Sequence, residues 1–266
     1  GVLRDAVAKH AVNLVVIPRH LKQDAVLTAT LYELLGLGVE VRDLPNFYEL
    51  IFRKVPLADL EEAWFLENLI GQRRFYDDLK RAGEFLAATV LFIVLLPLEI
   101  LIALLVRLTS RGPAIYKQVR VGQGGNVFTL YKFRTMTKDA ERNGAQWADP
   151  NDMRATPLGK VLRYTHFDEL PQLINIMQGD LSFVGPRPER PEFVKLLQEK
   201  IPYYEIRHIV KPGVTGWAQI NYRYGASVED AYEKLQYDIY YLKNRSLVLD
   251  ASTFIRTLKS FFINQE

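Results

Sequence analysis

The longest apolar stretch of the chain limits its fold more than any other feature. It runs from Phe85 to Val106, FLAATVLFIVLLPLEILIALLV, and Glu99 is its only charged residue. A helix needs about 20 apolar residues to cross the hydrocarbon core of a bilayer, so this stretch is long enough to enter a membrane. The chain must therefore place one long helix either in lipid or in a large apolar core.

Two residues within this stretch argue against a simple crossing. Pro97 removes a helical hydrogen bond and favours a kink, and the carboxylate of Glu99 would cost about 3 kcal/mol at the bilayer centre. Because positive charge flanks the stretch on both sides, we predict a re-entrant helix that breaks at Pro97 and returns to the cytoplasmic side. A buried core helix and a tilted single span are the alternatives. The flanking basic residues are Arg73, Arg74, Lys80, Arg81, Arg107, Arg111, Lys117 and Arg120.

Composition excludes several classes of function. The 266 residues carry 34 Lys and Arg against 31 Asp and Glu, a balance that does not fit a general nucleic-acid binder. The absence of cysteine excludes a disulfide framework, a thiolate zinc site and a cysteine nucleophile. With four histidines and no HExxH spacing, a metal site built from histidines is not expected either.

The first part of the chain has the pattern of an α/β domain. LVVIP (Leu14 to Pro18) and GVEVRDL (Gly38 to Leu44) are typical of strands, and the residues from Asp24 to Leu35 have helical periodicity. We expect the partner strands to lie upstream of Gly1. No glycine-rich phosphate loop follows the first strand, so a structural or regulatory remnant is favoured over nucleotide binding here.

The remaining chain divides at changes of pattern. Residues after Pro45 form a polar connector that ends in RRFYDDLKR, a basic amphipathic stretch typical of membrane surfaces. Residues 112–136 alternate around a glycine-rich turn, which predicts a hairpin, and KPGVTGWAQINYRYG is expected to be irregular. The predicted fold class is α/β. It consists of the C-terminal part of a Rossmann-like domain (1–45), a linker and interfacial segment (46–80), a re-entrant membrane helix (81–111) and a mainly helical catalytic domain with a small β-hairpin (112–266).

Two adjacent acids, Asp168 and Glu169, head the apolar segment FDELPQLINIM. Thr165 is placed to cap a helix beginning near Asp168, with Pro171 tolerated in its first turn. Acids in a first turn are stabilised by the helix dipole, so a purely structural role for the pair stays open.

The cations of the neighbouring segments favour a chemical role for these acids. Arginine matches phosphate oxygens with two parallel hydrogen bonds, and Mg²⁺ prefers one or two protein carboxylates together with substrate phosphate oxygens. One acid would then hold the metal while the other attacks phosphorus. The predicted substrate-binding cations are Lys132, Arg134, Arg163, Arg187 and Arg223.

Four segments in register give the chain a family resemblance. GPAIYKQVRVG, YKFRTM, DELPQLINIMQGDLSFVGPRP and KPGVTGWAQIN occur in this order and together resemble the bacterial sugar transferases. These are monotopic phosphoglycosyl transferases that start polysaccharide assembly on polyprenyl phosphate. The resemblance extends from about Lys80 to the C-terminus. The N-terminal part looks like the end of the nucleotide-binding-like domain of the larger members.

The resemblance implies a reaction and a location. Asp168 would attack the sugar-bearing phosphate of a UDP-sugar and release UMP, and undecaprenyl (polyprenyl) phosphate would then take the phosphosugar. Glu169 would be the Mg²⁺ ligand, and Pro97 would match the helix-breaking proline of the membrane helix. The implied partners are UDP-sugar, polyprenyl phosphate and membrane lipid at the bacterial inner membrane, with the catalytic domain on the cytoplasmic face. The sequence is compatible with a homo-oligomer and does not specify one.

Two other functions stay open at this point. A metal-dependent glycosyltransferase would use the acids as metal ligands and release UDP. A non-catalytic, membrane-associated assembly module would use the acids and arginines as structural ion pairs, and it would keep its function after Asp168→Asn.

Overall fold

The structure is a computed structural model that describes residues 2–18, 21, 24–60, 62–69, 74–137, 140, 153–222, 225 and 227–263. The chain divides into two compact units, residues 1–71 and residues 72–266. Each unit has its own elements and its own core.

The N-terminal unit is built around a parallel strand pair. Strands β1 and β2 pair with Leu14 opposite Glu40, and the Asp24 side chain caps the helix between them by accepting hydrogen bonds from the backbone N–H groups of Val26 and Leu27. The core of the unit is formed by Val7, Ile17, Leu31, Leu34 and Val39. Its elements are α1 (Val2–Lys9), β1 (Leu14–Ile17), α2 (Ala25–Leu35), β2 (Glu40–Asp43), α3 (Leu44–Phe52) and α4 (Glu62–Leu69).

The predicted strand–helix–strand order of this unit is confirmed, and the segment predicted as a connector contains helices α3 and α4. Helix α3 begins at Leu44, where the Asp43 carboxylate accepts a hydrogen bond from the Asn46 N–H and Pro45 fits the first turn. The sheet described in this unit has two strands. Its assignment as Rossmann-like therefore stays a prediction.

The second unit is mainly helical and contains the predicted hairpin. Strands β3 and β4 pair antiparallel with Ile115 opposite Phe133, and β5 pairs parallel with β6. The segment KPGVTGWAQINYRYG was expected to be irregular, but it contains β6 and α9. The elements are α5 (Arg74–Thr109), β3 (Ile115–Val121), β4 (Val127–Phe133), α6 (Pro157–Thr165), α7 (Gln172–Gln178), β5 (Ser182–Val184), α8 (Pro191–Lys200), β6 (Gly213–Thr215), α9 (Trp217–Asn221), α10 (Val228–Asn244) and α11 (Leu247–Ile263).

Helix α5 joins two segments that the sequence separated. It runs for 36 residues, so the basic stretch from Arg74 and the apolar stretch belong to one helix. The helix is continuous through Pro97, so that residue does not end it. A re-entrant path through the bilayer stays a prediction.

The two faces of α5 meet different surroundings. One face packs on the rest of the second unit, where Ala88, Ile102 and Val106 are buried. The opposite face is apolar and exposed, and only 17% of the most apolar window of the helix is buried. The helix is long and apolar enough to cross a membrane, and its exposure distinguishes it from the core helix of a water-soluble domain.

Helix α7 lies against α5 and runs in the opposite direction. Leu173 and Ile176 of α7 pack with Ala88 in one cluster, while Leu170, just before α7, packs with Ile102 in another. The N-terminal end of α7 therefore faces the C-terminal half of α5. This arrangement places the segment with the two acids beside the apolar helix.

Gly159 allows α6 to approach the end of β4, which gives a test of the fold. A Cβ at Gly159 would lie 1.9 Å from the carbonyl oxygen of Thr135. We expect Gly159→Ala to lower the free energy of unfolding by about 1–3 kcal/mol or more, because a backbone carbonyl would have to move. Denaturant unfolding in detergent measures the change.

The matched control is Gly83→Ala in α5, where a Cβ would have nothing within 4 Å. That change should stabilise the helix by up to about 1 kcal/mol, since alanine is the better helix former. Equal effects of the two substitutions would contradict the close approach at Gly159.

Candidate active site

The two acids lie in a tight turn between helices. Helix α6 ends at Thr165, and His166 leaves it in the left-handed conformation with φ of 58°. A 3₁₀ turn spans Phe167–Glu169, and α7 begins three residues later. The prediction that Thr165 caps a helix at Asp168 is wrong. The Thr165 hydroxyl donates back to the carbonyl of Val161 at 2.9 Å, because Thr165 is the last residue of α6.

Glu169 is held by two cations. Its Oε1 lies 2.6 Å from Nζ of Lys132 and 3.3 Å from Nη2 of Arg187. Burial alone would raise the pKa of Glu169, but Lys132 and then Arg187 outweigh it and lower the pKa to about 2. Glu169 is therefore a fixed negative charge at any physiological pH.

Asp168 is in a different environment, although it is the neighbouring residue. It is 7% exposed, and no residue of the described chain donates a hydrogen bond to its carboxylate. Burial raises its pKa, and the charge of Glu169 acts in the same direction, while Lys132, His166 and Arg163 act against it. The turn therefore contains one firmly ionised acid and one acid whose oxygens are more basic than usual.

Asn175 sets the position of Lys132 relative to the acids. Its side chain is fully buried and forms two hydrogen bonds with the backbone of β4. Oδ1 accepts from the Tyr131 N–H at 3.0 Å, and Nδ2 donates to the Thr129 carbonyl at 2.7 Å, as a neighbouring strand would do. Helix α7, which follows the acids, is thereby fixed to the strand that carries Lys132. A single asparagine inside the apolar segment LINIM is the sequence signal for this role, and sequence reasoning missed it.

Arg187 is held through the backbone around it. Three successive carbonyls of the segment RPE have donors: Arg207 Nη2 at 3.0 Å from the Arg187 oxygen, Arg120 Nη1 at 2.9 Å from the Pro188 oxygen, and the Val121 N–H at 2.9 Å from the Glu189 oxygen. The arginine that reaches Glu169 therefore extends from a fixed segment. Sequence reasoning missed Arg207, and treated Arg120 only as a flanking basic residue.

Arg207 belongs to a buried ion pair. Its Nη2 lies 2.9 Å from Oδ2 of Asp238, and the two residues are 6% and 1% exposed. Burial raises the pKa of Asp238 to about 6, although the Arg207 guanidinium acts against this shift. This ion pair also holds the Arg187 backbone, because Arg207 donates to the Arg187 carbonyl at 3.0 Å.

The other predicted residues have three different outcomes. Arg163 lies close enough to lower the pKa of Asp168, and its Nε donates to the Thr135 hydroxyl at 3.1 Å. Arg134 does not join the acids: its guanidinium donates to the carbonyl and hydroxyl of Ser110 at 2.8 Å and also to the carbonyl of Pro113, just beyond α5. A cation at a helix C-terminus satisfies free carbonyls, so the structure gives Arg134 a structural role. Arg223 lies outside the described residues.

Comparison with known proteins places this site in a family. The sequence model of the bacterial sugar transferases matches residues 75–264, so the chain belongs to the bacterial sugar transferase family. The matched region includes α5 apart from its first residue, and all the site residues described above. Together, the exposed apolar helix and the family indicate a membrane-associated protein.

Individual relatives give more detail. The chain is 44% identical over 197 residues to the UDP-N-acetylgalactosamine-undecaprenyl-phosphate N-acetylgalactosaminephosphotransferase of Aeromonas hydrophila, covering 73% of this chain and 47% of that protein. It is 38% identical over 188 residues to the UDP-glucose:undecaprenyl-phosphate glucose-1-phosphate transferase of Klebsiella pneumoniae, covering 70% and 40%. The sugar transferase EpsL of Bacillus subtilis, uncharacterized, is 40% identical, with 70% and 89% covered. The chain thus spans less than half the length of the first two.

The buried pair behind Arg187 gives a second test. Arg207→Met should lower the free energy of unfolding by about 3–5 kcal/mol, because it leaves the Asp238 carboxylate buried without its partner. The double substitution Arg207→Met with Asp238→Leu should recover most of that loss, since apolar residues then replace both charges. Chemical denaturation of the wild type, the two single variants (Arg207→Met and Asp238→Leu) and the double variant measures this coupling. Strictly additive effects of the two substitutions would contradict it.

Proposed function

We propose that the chain transfers a sugar-1-phosphate from a UDP-sugar to undecaprenyl (polyprenyl) phosphate, as the first membrane step of exopolysaccharide, capsule or O-antigen synthesis. The observation that most supports this proposal is the contrast between the two adjacent acids. Glu169 is held as an anion by Lys132 and Arg187, whereas Asp168 is buried and has a raised pKa. The proposed place is the bacterial inner membrane, with the second unit on its cytoplasmic face.

In the first step Asp168 acts as the nucleophile. A carboxylate oxygen of Asp168 attacks the phosphorus that bears the sugar, a bond forms between that oxygen and phosphorus, and the bond to the UMP oxygen breaks. UMP leaves with the bonding electron pair, and an aspartyl phosphosugar remains. Lys132, Arg163 and Arg187 would face the phosphate oxygens and stabilise the negative charge in the transition state.

In the second step the lipid phosphate is the nucleophile. An oxygen of polyprenyl phosphate attacks the same phosphorus, and the bond to Asp168 breaks and restores its carboxylate. The product is polyprenyl diphosphate-sugar. The exposed apolar face of α5 supports this step, because a helix inserted through that face would hold the site beside the surface from which a lipid phosphate emerges.

Glu169 is the proposed ligand of Mg²⁺. Lys132 and Arg187 both contact its Oε1, whereas Oε2 has no hydrogen-bond partner among the described residues. The cation would take its other ligands from the diphosphate of the substrate. When bound, Mg²⁺ would neutralise charge on the diphosphate and assist departure of UMP.

The relatives support the substrate class and leave the sugar open. Their names specify N-acetylgalactosamine in one case and glucose in another, each with undecaprenyl phosphate as the acceptor. Because the two sugars differ in the substituent at the second carbon and in the configuration at the fourth, a panel of UDP-sugars separates them. The same panel tests the alternative of a glycosyltransferase, which would release UDP instead of UMP.

The first functional test is loss of the nucleophile. Asp168→Asn keeps the shape of the side chain but lacks the anionic oxygen, so UMP release should fall by about 10³-fold or more. The assay uses purified chain, Mg²⁺, a UDP-sugar and polyprenyl phosphate, with chromatography of the nucleotide. Asp78→Asn on the exposed surface of α5 is the matched control and should retain full activity. Release of UDP, or UMP release that survives Asp168→Asn, would contradict the covalent mechanism.

The raised pKa of Asp168 predicts a pH dependence of the first step. Protonation removes the nucleophile, so the rate of UMP release should rise with pH through the pKa of Asp168 and then level off. Burial places this midpoint above the ordinary aspartate pKa of about 4. Glu169 does not contribute to the acid limb, because its pKa is about 2. Rapid-quench measurement of the first turnover at a series of pH values shows the limb, and a midpoint at or below the ordinary value would contradict the assignment.

A further inference from the structure

Two cations meet at the end of α7 that is remote from the acids. Gly179 ends this helix with φ of 85°, and the position that a Cβ would occupy there lies 3.3 Å from Nζ of Lys211 and 3.7 Å from Nη2 of Arg81. The ammonium and the guanidinium therefore share one small region of the surface. They come from different elements, since Arg81 is on α5 and Lys211 precedes β6.

Two nearby acids of the described chain act electrostatically on this pair without forming an ion pair with it. Among the described residues, neither Arg81 nor Lys211 forms an ion pair, although Asp180 and Glu84 both face Lys211. The Glu84 carboxylate accepts hydrogen bonds from the Ser182 hydroxyl at 2.5 Å and the Phe183 N–H at 3.0 Å. Lys80, the other nearby cation, pairs with Asp250 at 2.8 Å.

The pKa of Lys211 is lowered by its burial and by its position beside Arg81. Burial has the larger effect, and the positive charge of Arg81 lowers the pKa further. Glu84 and Asp180 act in the opposite direction, and an anion bound between the two cations would further reduce the repulsion between them. The pair is therefore suited to an anion with several oxygens, such as a phosphate group.

The pair lies at the start of the apolar stretch of α5, which favours a membrane phospholipid as the source of that phosphate. Arg81 is one helical turn before Phe85, where the apolar stretch begins. Phe85 and Leu86 are 53% and 66% exposed, so the lipid-facing surface of α5 starts immediately beyond the pair. A cation at this level is at the depth of the lipid headgroups.

The pair is also too far from the acids to hold the reacting phosphate. The seven residues of α7 separate Gly179 from the turn with Asp168, and such a helix is about 10 Å long. One phosphate cannot contact both places. A lipid bound at the pair would therefore be a different molecule from the acceptor at Asp168.

We propose that Arg81 and Lys211 form a binding site for the phosphate group of a bilayer phospholipid, separate from the site of transfer. The bound headgroup would offset the two positive charges and hold the N-terminal end of the apolar stretch at the membrane surface. The site goes beyond the proposed transfer reaction and does not depend on it.

The test is direct binding to the full chain in a non-ionic detergent. Isothermal titration with dihexanoyl-phosphatidylglycerol should give saturable binding of one molecule per chain. The double substitution Arg81→Gln with Lys211→Gln should weaken that affinity by at least about tenfold, because two charge-assisted hydrogen bonds are lost. The matched control, Arg107→Gln with Arg111→Gln, removes two charges beyond the other end of the apolar stretch and should bind as tightly as the wild type.

Titrations with two other phosphate compounds identify which kind of molecule supplies the phosphate group. Inorganic phosphate should bind at least about tenfold more weakly than the lipid, since it lacks the glycerol and acyl contacts at the helix surface. Farnesyl phosphate, a short relative of the acceptor, should not displace phosphatidylglycerol. Equal affinity for inorganic phosphate, displacement by farnesyl phosphate, or equal binding by the Arg81/Lys211 variant and its control would each overturn the proposal.

The single substitution Arg81→Gln is a second variant for use if the double variant misfolds. Because Arg81 is exposed, its loss should leave the unfolding midpoint unchanged. It should still weaken phosphatidylglycerol binding measurably, and undiminished binding would overturn the proposal. Since the assay needs no turnover, failure of the lipid site and failure of the proposed transfer reaction are distinguished.

Discussion

Repulsion between two neighbouring carboxylates is the constraint on which the site depends. Two acids in one turn are stable only if cations offset at least one of them, and Glu169 receives both Lys132 and Arg187 at a single oxygen. Those cations come from distant parts of the sequence. The hairpin, the turn after β5 and the packing of α7 together bring them within reach of one carboxylate.

Buried polar groups, more than apolar contacts, fix the positions of these cations. Asn175 joins α7 to β4 through two hydrogen bonds, and Arg207 and Arg120 hold the carbonyls beside the Arg187 side chain. Hydrogen bonds are directional and apolar packing is not, so such contacts determine register at a site more closely than core clusters do. The core clusters between α5 and α7 supply stability without setting the distance from Lys132 to Glu169.

The sequence predicted features that depend on neighbouring residues and missed those that depend on distant ones. The hairpin and the strand–helix–strand unit were predictable because alternation and helical periodicity are local signals. Lys132 and Arg187 were predicted as substrate-binding cations from the segments that carry them, and the structure places both against Glu169. Arg134 was assigned to the substrate because its segment contains Lys132, yet its side chain reaches back to the end of α5. No local pattern shows which carbonyl an arginine or asparagine will meet in the folded chain.

The packing of α5 limits how the molecule can sit in a membrane. The rest of the second unit contacts one face of this helix from Ala88 to Val106, a length of about 27 Å at the usual helical rise. The hydrocarbon core of a bilayer is about 30 Å thick, so an upright helix would pull the attached polar unit into lipid over almost its whole depth. Backbone groups in the loops of that unit would lose their contact with water. The geometry therefore favours a shallow angle between α5 and the bilayer plane, the arrangement expected of the predicted re-entrant helix.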